Sequence, residues 1–366
     1  MRNSSLGSPG VKPLCWADDG KTLLFYSRGK LYLRAGKEVR GLCSLPLNGP
    51  KKLFSCNRLA SRIFRIEPRA ALIVGNAALV AWMGSIVLVG LHDGKIESLL
   101  RSREGFSNPL YFTPVAGNRL LAVWGDYGTN TDGHSVAIWG LDVNLEIRVL
   151  YKFAPGTIRH IHGIVPRRMG GGGFYVLTGD MEKDSGIYIA SEDFSSVQPL
   201  AVGEQRFRAV RGFPVEKGLI YATDSASIEN HVYRLYEDGA GSWQRLDDLG
   251  AINGPCIYGG TVNDGYLFTT TVEPDENRRG FASFLSCSVG PGVRTAEATA
   301  VFVSERATLS EVARIKGDGL PLKAFQYGSL QMPSGVAPSS NVWVYARSLE
   351  GVDGRAIRLS IGDGND

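Results

Sequence analysis

A phrase of apolar strand, small turn, apolar strand and acidic-glycine turn returns about every fifty residues along this chain. Four copies align: Ser85-Ile-Val-Leu-Val-Gly-Leu-His-Asp-Gly, Ser135-Val-Ala-Ile-Trp-Gly-Leu-Asp, Gly186-Ile-Tyr-Ile-Ala-Ser-Glu-Asp and His231-Val-Tyr-Arg-Leu-Tyr-Glu-Asp-Gly. A weaker copy stands at Lys30-Leu-Tyr-Leu-Arg-Ala-Gly. A strand-only unit of this length cannot bury its own faces, and radial stacking of such units makes a β-propeller. The expected fold is therefore all-β, a β-propeller of four-stranded antiparallel blades. Seven blades divide the 366 residues into about 52 each, and six is the alternative. Inner hairpins centre near Leu31, Val87, Ala137, Tyr188, Val232, Phe284 and Val344. The last unit runs out after Ile357-Arg-Leu-Ser-Ile, so it lacks an outer strand, which an N-terminal segment could supply to close the ring. The division is a flexible tail over 1–10 and one propeller domain over 11–366.

Composition supports this reading. The 46 glycines are spread over turns, and no window holds a 3.6-residue apolar period for three turns, so no helix is expected. A net charge of +4 without long Lys/Arg blocks argues against nucleic acid. Five scattered cysteines, odd in number and without a C-x-x-C pair, argue against a disulfide framework or a zinc site; most are expected to be buried. The first residues carry no apolar leader, and the longest apolar stretch, 77–90, is too short to span a bilayer. The expectation is a cytoplasmic protein with no membrane insertion, or an exported one if a leader has been removed.

The middle unit shows the grammar of a blade. Strand A is Arg159-His-Ile-His-Gly-Ile-Val, strand B Phe174-Tyr-Val-Leu-Thr, strand C Gly186-Ile-Tyr-Ile-Ala-Ser and strand D Val197-Gln-Pro-Leu. Antiparallel strands alternate direction, so every A start and every B end must meet at one mouth of the channel. Four successive B strands end on an acid: Asp126, Asp180, Asp224 and Glu273. The A starts carry His160 and His162, then Arg206 and Arg208, with Arg65 from an earlier unit. The period of two puts His160 with His162, and Arg206 with Arg208, on one face. Tyr127, Asn230 and Asn253 stand close to the same ends, and Tyr221 and Trp124 offer further flat surfaces for sugar rings.

Acids, imidazoles and arginines meeting in a concave site suit glycan chemistry. Paired carboxylates serve as nucleophile or base and as acid, and arginine binds an acidic sugar bidentately. The blander reading is that each acid caps its own turn. The two histidines have a third reading as ligands of a divalent metal, with a third ligand that sequence does not name. The run Gly170 to Gly173 has no helix after it and is a turn, not a phosphate cradle.

Two turns, Tyr236-Glu-Asp238-Gly-Ala-Gly-Ser-Trp243 and Ser191-Glu-Asp193-Phe-Ser-Ser-Val197, resemble the Asp-box of sialidase-like propellers. The stretch 159–234, with His-x-His-Gly, Thr-Gly-Asp, Gln-x-Phe-Arg and Ala-Thr-Asp-Ser, is similar to sialidase-like proteins associated with bacterial polysaccharides. The resemblance implies a propeller, and an arginine triad that Arg65, Arg208 and one further arginine could imitate. The expected function is cleavage of a glycosidic bond in an acidic bacterial polysaccharide or oligosaccharide. In a hydrolase, Asp180 or Asp224 acts as nucleophile or base, Asp126 or Glu273 as acid, and Arg206 and Arg208 hold the anionic group; no cofactor is required. The alternatives are a lyase with His160 or His162 as base, aided by an arginine or a metal, and a non-catalytic propeller that binds a glycan or protein.

Overall fold

Short strands whose B members are apolar on both faces must be covered on both, and the sheets stack accordingly. A computed structural model describes residues 7–47, 49–117, 119–262, 265–336 and 341–361. Seven antiparallel sheets follow one another along the chain, six of four strands and the last of three. Blade 1 is Val11–Trp16, Thr22–Ser27, Lys30–Ala35 and Glu38–Ser44, and blade 2 is Ala71–Val74, Ala77–Trp82, Ser85–Gly90 and Ile96–Arg101. Blade 3 is Thr113–Pro114, Leu120–Gly125, Val136–Asp142 and Ile147–Phe153, and blade 4 is His160–Pro166, Phe174–Gly179, Gly186–Ala190 and Val197–Val202. Blade 5 is Ala209–Val215, Gly218–Thr223, Asn230–Glu237 and Trp243–Ile252, and blade 6 is Cys256–Val262, Gly265–Thr270, Glu297–Ser304 and Leu309–Lys316. Blade 7 is Ser329–Gln331, Asn341–Arg347 and Arg355–Ser360. This is the seven-bladed β-propeller read from the repeat.

Burial follows strand rank. Phe174–Gly179 is buried throughout, whereas Ile147–Phe153 on the rim exposes Arg148, Val149 and Lys152 and buries only Phe153. Among the described residues, six apolar clusters each bridge one pair of consecutive blades, from blades 1 and 2 round to blades 6 and 7. The seam between blades 7 and 1 uses polar contacts. Trp16 N donates to Ser334 O at 2.8 Å, Ser334 N to Leu14 O at 2.9 Å, and Gly10 N to Gly354 O at 2.7 Å. Blade 7 does lack a fourth strand among the described residues. The closing strand expected from the N-terminus falls partly on residues 1–6, outside those described, and residues 7–10 form turns.

Four local expectations are corrected. The sixth hairpin is not centred on Phe284, which ends a short helix, Gly280–Phe284; strand C of that blade is Glu297–Ser304. Short helices also occupy Pro50–Phe54, Arg58–Ile63 and Leu322–Phe325, none long enough to display three apolar turns. Blade 2 begins at Ala71, so Arg62 and Arg65 lie in and after a helix, not on an inner strand. All five cysteines are free, but only Cys15 and Cys256 are buried; Cys56 and Cys287 are exposed. No helix among the described residues is long and apolar enough to cross a membrane.

Candidate active site at the channel mouth

The inner strands carry a repeated irregularity that shapes the site. Strands A of blades 1, 4, 5 and 6 each slip register against strand B by one residue, leaving Leu14, His162, Val210 and Ile257 without a register partner. A bulge of this kind re-aims the extra side chain. Val210 and Ile257 line a cavity of about 980 Å³ at one mouth. Blade 4 puts an imidazole at the equivalent position. Two glycines permit the close packing here, Gly163 against the backbone of blade 5 and Gly179 against the imidazole itself. A Cβ on Gly163 would meet Val210 O at 2.5 Å, and one on Gly179 would meet His162 Cε1 at 2.5 Å and Arg208 Cγ at 3.0 Å.

The cavity wall draws residues from blades 2 to 7, as expected for A starts and B ends. It includes Tyr127, His160, Asp180, Arg208, Asp224 and Glu273 from among the residues read in the sequence. His162 stands behind Asp180, with Nε2 3.3 Å from Asp180 Oδ1. His160 Nε2 is 3.5 Å from the same oxygen, Arg208 Nη2 3.1 Å, and Arg159 Nη1 is 3.6 Å from Oδ2. The other ring nitrogens are anchored: His160 Nδ1 lies 2.5 Å from Gly128 O and His162 Nδ1 3.0 Å from Ala209 O. His160, His162 and Asp180 form a group whose ligand atoms all lie within 4.8 Å of one another, so together they could hold a metal ion. Burial pushes the His162 imidazole down to about 4. Burial opposes the charge of Asp180 too, but the two imidazoles outweigh it and hold the carboxyl well below its usual range.

Asp224 is 5 % exposed, with Oδ2 3.6 Å from Arg208 Nη2 and Oδ1 lacking a hydrogen-bond partner. Burial, then the neighbouring Glu273, raise it well above the usual carboxylate range. Glu273 accepts a hydrogen bond from Thr271 Oγ1 at 3.2 Å, and burial pushes it up to about 7. Tyr127 presents its ring beside His160, 4.6 Å between centroids, with the Arg69 guanidinium 4.7 Å over it.

Other sequence candidates are held elsewhere. Asp126 does end strand B of its blade, but its carboxylate is spent there: Trp139 Nε1 and Ala137 N donate to it at 2.8 Å, and Arg103 pairs with it. It ties strand B to strand C and does not reach the cavity. Arg206 pairs with Glu204 at 2.8 Å on the outer side. Arg65 is exposed, with Nη2 3.5 Å from Lys323 O, and is not part of the cavity wall. Asn230 is fully buried and clamps the 225–230 turn through Ser225 and Thr223. Asn253 bonds to Thr295 and Glu297 O. Tyr221 is buried with its hydroxyl on Arg206 O, and Trp124 is buried against Phe112.

Sequence reasoning missed Arg69, Gln205 and Tyr327 on the wall. Arg69 was legible: like Arg159 and Arg208, it stands within two residues of the start of an inner strand. Gln205 braces the site, donating from Nε2 to Asp180 O at 3.0 Å while its Oε1 accepts from Ser225 Oγ at 2.9 Å.

Fold and cavity together define a seven-bladed β-propeller with a charged cavity at one mouth. No family model and no curated protein matches the chain. Solved structures do match. The WD40 β-propeller domain of Doa1 is similar with a TM-score of 0.53 and 11% identity, covering 98% of this chain and 96% of that one. An oligogalacturonate lyase from Vibrio parahaemolyticus is similar with a TM-score of 0.52 and 10% identity, covering 90% and 87%. At such identities the likeness is one of fold.

Proposed function

We propose that the cavity binds an acidic polysaccharide or oligosaccharide and cleaves a glycosidic bond in it. The observation that carries this reading is the meeting of two carboxyls, the buried Asp224 and the part-buried Glu273, beside Arg208 on the wall of an open cavity. Like charges in one desolvated site cannot both ionise easily, so near neutrality the pair retains a proton. The carboxyl that holds it can protonate the leaving oxygen, and its neighbour can act as base or nucleophile. Arg208, with Arg69 and Arg159 on the same wall, supplies the positive field for a uronate or similar anion, and Tyr127 a flat surface for a sugar ring. One protein of the same fold is an oligogalacturonate lyase, so the architecture accommodates cleavage of an acidic glycan.

A second reading, elimination, is favoured by His160, whose buried Nε2 lacks a hydrogen-bond partner. That nitrogen could take the proton next to a uronate carboxyl, with Arg208 neutralising the acid. The kinship with sialidase-like propellers belongs to the same proposal; both Asp-box-like turns are closed by their aspartates, Asp238 accepting from Ala240 N and Ser242 N, and Asp193 from Ser195 N.

The test is a screen of purified protein against acidic polysaccharides, with Asp224→Asn and Glu273→Gln as companions. Each variant should lose about 10²–10⁴ in turnover while keeping the parent's fold. An ultraviolet-absorbing unsaturated end would identify elimination, and a new reducing end without it hydrolysis. Turnover equal to the parent in both variants would remove the carboxyl pair from the reaction.

A further inference from the structure

Two imidazoles and a carboxylate converge on one point beneath the cavity, and their hydrogen bonds restrict what can lie between them. A carbonyl oxygen only accepts, so the Nδ1 atoms of His160 and His162, at 2.5 Å from Gly128 O and 3.0 Å from Ala209 O, must carry the hydrogens. In each neutral ring the lone pair is then on Nε2. Both Nε2 atoms face the same oxygen, Asp180 Oδ1, at 3.5 and 3.3 Å. Three lone-pair atoms so close together repel unless a ring is protonated or a metal cation sits among them. His160, 2 % exposed, has no hydrogen-bond partner at Nε2.

We propose that His160 Nε2, His162 Nε2 and Asp180 Oδ1 are the protein ligands of a divalent transition-metal ion at the cavity floor. The spacing supports this. Ligands about 2.0–2.1 Å from a tetrahedral centre lie about 3.3–3.4 Å from one another, close to the two N···O separations found here. The anchored Nδ1–H groups are the outer contacts that fix imidazole orientation in metal sites. Gln205 Nε2 and Arg208 Nη1, each donating to Asp180 O at 3.0 Å, hold the residue that carries the carboxylate. Asp180 and His160 also line the cavity, so the remaining coordination positions open toward it and would take water or an anionic oxygen of a ligand. Two nitrogens in the set favour zinc, manganese or iron(II) over calcium or magnesium, which prefer oxygen cages. Arg208 Nη2, 3.1 Å from the same Asp180 oxygen, tempers the negative charge and must share that oxygen with the ion.

The site stands whether or not the cavity cleaves glycans, because metal affinity is measured on the protein alone. Chelator-stripped protein should bind one equivalent of Zn²⁺ or Mn²⁺ by titration calorimetry, and saturating metal should raise the Tm by mass action. His162→Ala and Asp180→Asn should each weaken binding by at least about 100-fold and abolish the Tm response. His160→Gln is a third variant should one of these fold poorly. His231→Ala, which removes a surface imidazole between Glu229 and Asp248, should bind like the parent. Absence of stoichiometric binding by the parent, equal binding by the ligand variants, or a preference for Ca²⁺ over Zn²⁺ and Mn²⁺ would overturn the proposal.

Discussion

The molecule holds two dense clusters of charge, and they are built to opposite ends. Where blade 7 meets blade 1, three cations (Lys12, Arg58, Arg62) face three carboxylates (Glu67, Asp318, Asp353). Arg62 is 1 % exposed; its Nη1 lies 2.5 Å from Asp318, and its Nε donates to Phe325 O at 2.6 Å. Arg58 reaches Glu67 at 2.5 Å and Asp353 at 2.7 Å, while Tyr345 also donates to Glu67. Charges balance, and the carboxylates are all engaged. At the cavity mouth the same residue types are arranged with gaps: Asp224 Oδ1 and His160 Nε2 are buried without partners. A seam needs closure, so its carboxylates are used up internally, although Arg62 Nη2 stays buried without a hydrogen-bond partner. A site needs unspent groups, because an unsatisfied buried group keeps its bonding capacity for a ligand.

The largest effect should come from opening the closed cluster. Arg62→Met removes a buried cation and leaves Asp318 without its partner, while Asp353 keeps Arg58, and losing one partner of a buried pair costs about 3–5 kcal/mol. Denaturant unfolding should show that loss, and adding Asp318→Asn should recover part of it. A variant as stable as the parent would mean that the seam is held by its backbone bonds alone.

An intermediate effect is expected in the open cluster. Arg208→Lys keeps the charge but loses the fork that spans Asp180 O, Asp180 Oδ1 and Asp224. Affinity for an acidic oligosaccharide should fall about tenfold, roughly 1.4 kcal/mol, with little change in Tm. Equal affinity would place the anion away from Arg208.

The same contrast explains what was legible in the sequence. Repeats fix which strand end faces the mouth, so Asp180, Asp224, His160 and Arg208 could be placed before any coordinates. Repeats are blind to the segments that interrupt them. Residues 45–70 and 271–296 lie between regular strands and supply Arg58, Arg62, Glu67 and Glu273's neighbourhood. There, Phe281-Ala-Ser-Phe284 alternates enough to suggest a hairpin but forms a helix with Phe281 77 % exposed. Asp126 shows the other limit. Its position in the repeat matches that of Asp180, but its partner Trp139 lies across the blade on strand C, and no count along strand B reveals that indole. Equivalent backbone positions place side chains; only the cross-strand neighbours decide whether a carboxylate is spent.

The smallest and most diagnostic effect concerns the pH response of Glu273. Its pKa rises from 4.5 to about 7 on folding because burial disfavours the charged form. The folded state therefore binds this proton more tightly than the unfolded chain. Its stabilising contribution is complete below about pH 4.5 and is lost as the pH rises through about 7. Glu273→Gln carries no ionisable proton, so its Tm should track the parent at pH 4 and exceed it by a few degrees at pH 8. In Arg62→Met, whose lesion lies in the balanced cluster, the difference from the parent should not follow this window. Parallel Tm–pH curves for Glu273→Gln and parent would show that Glu273 titrates as a solvated carboxyl, and Asp224 would then be the carboxyl left to hold the proton at the mouth.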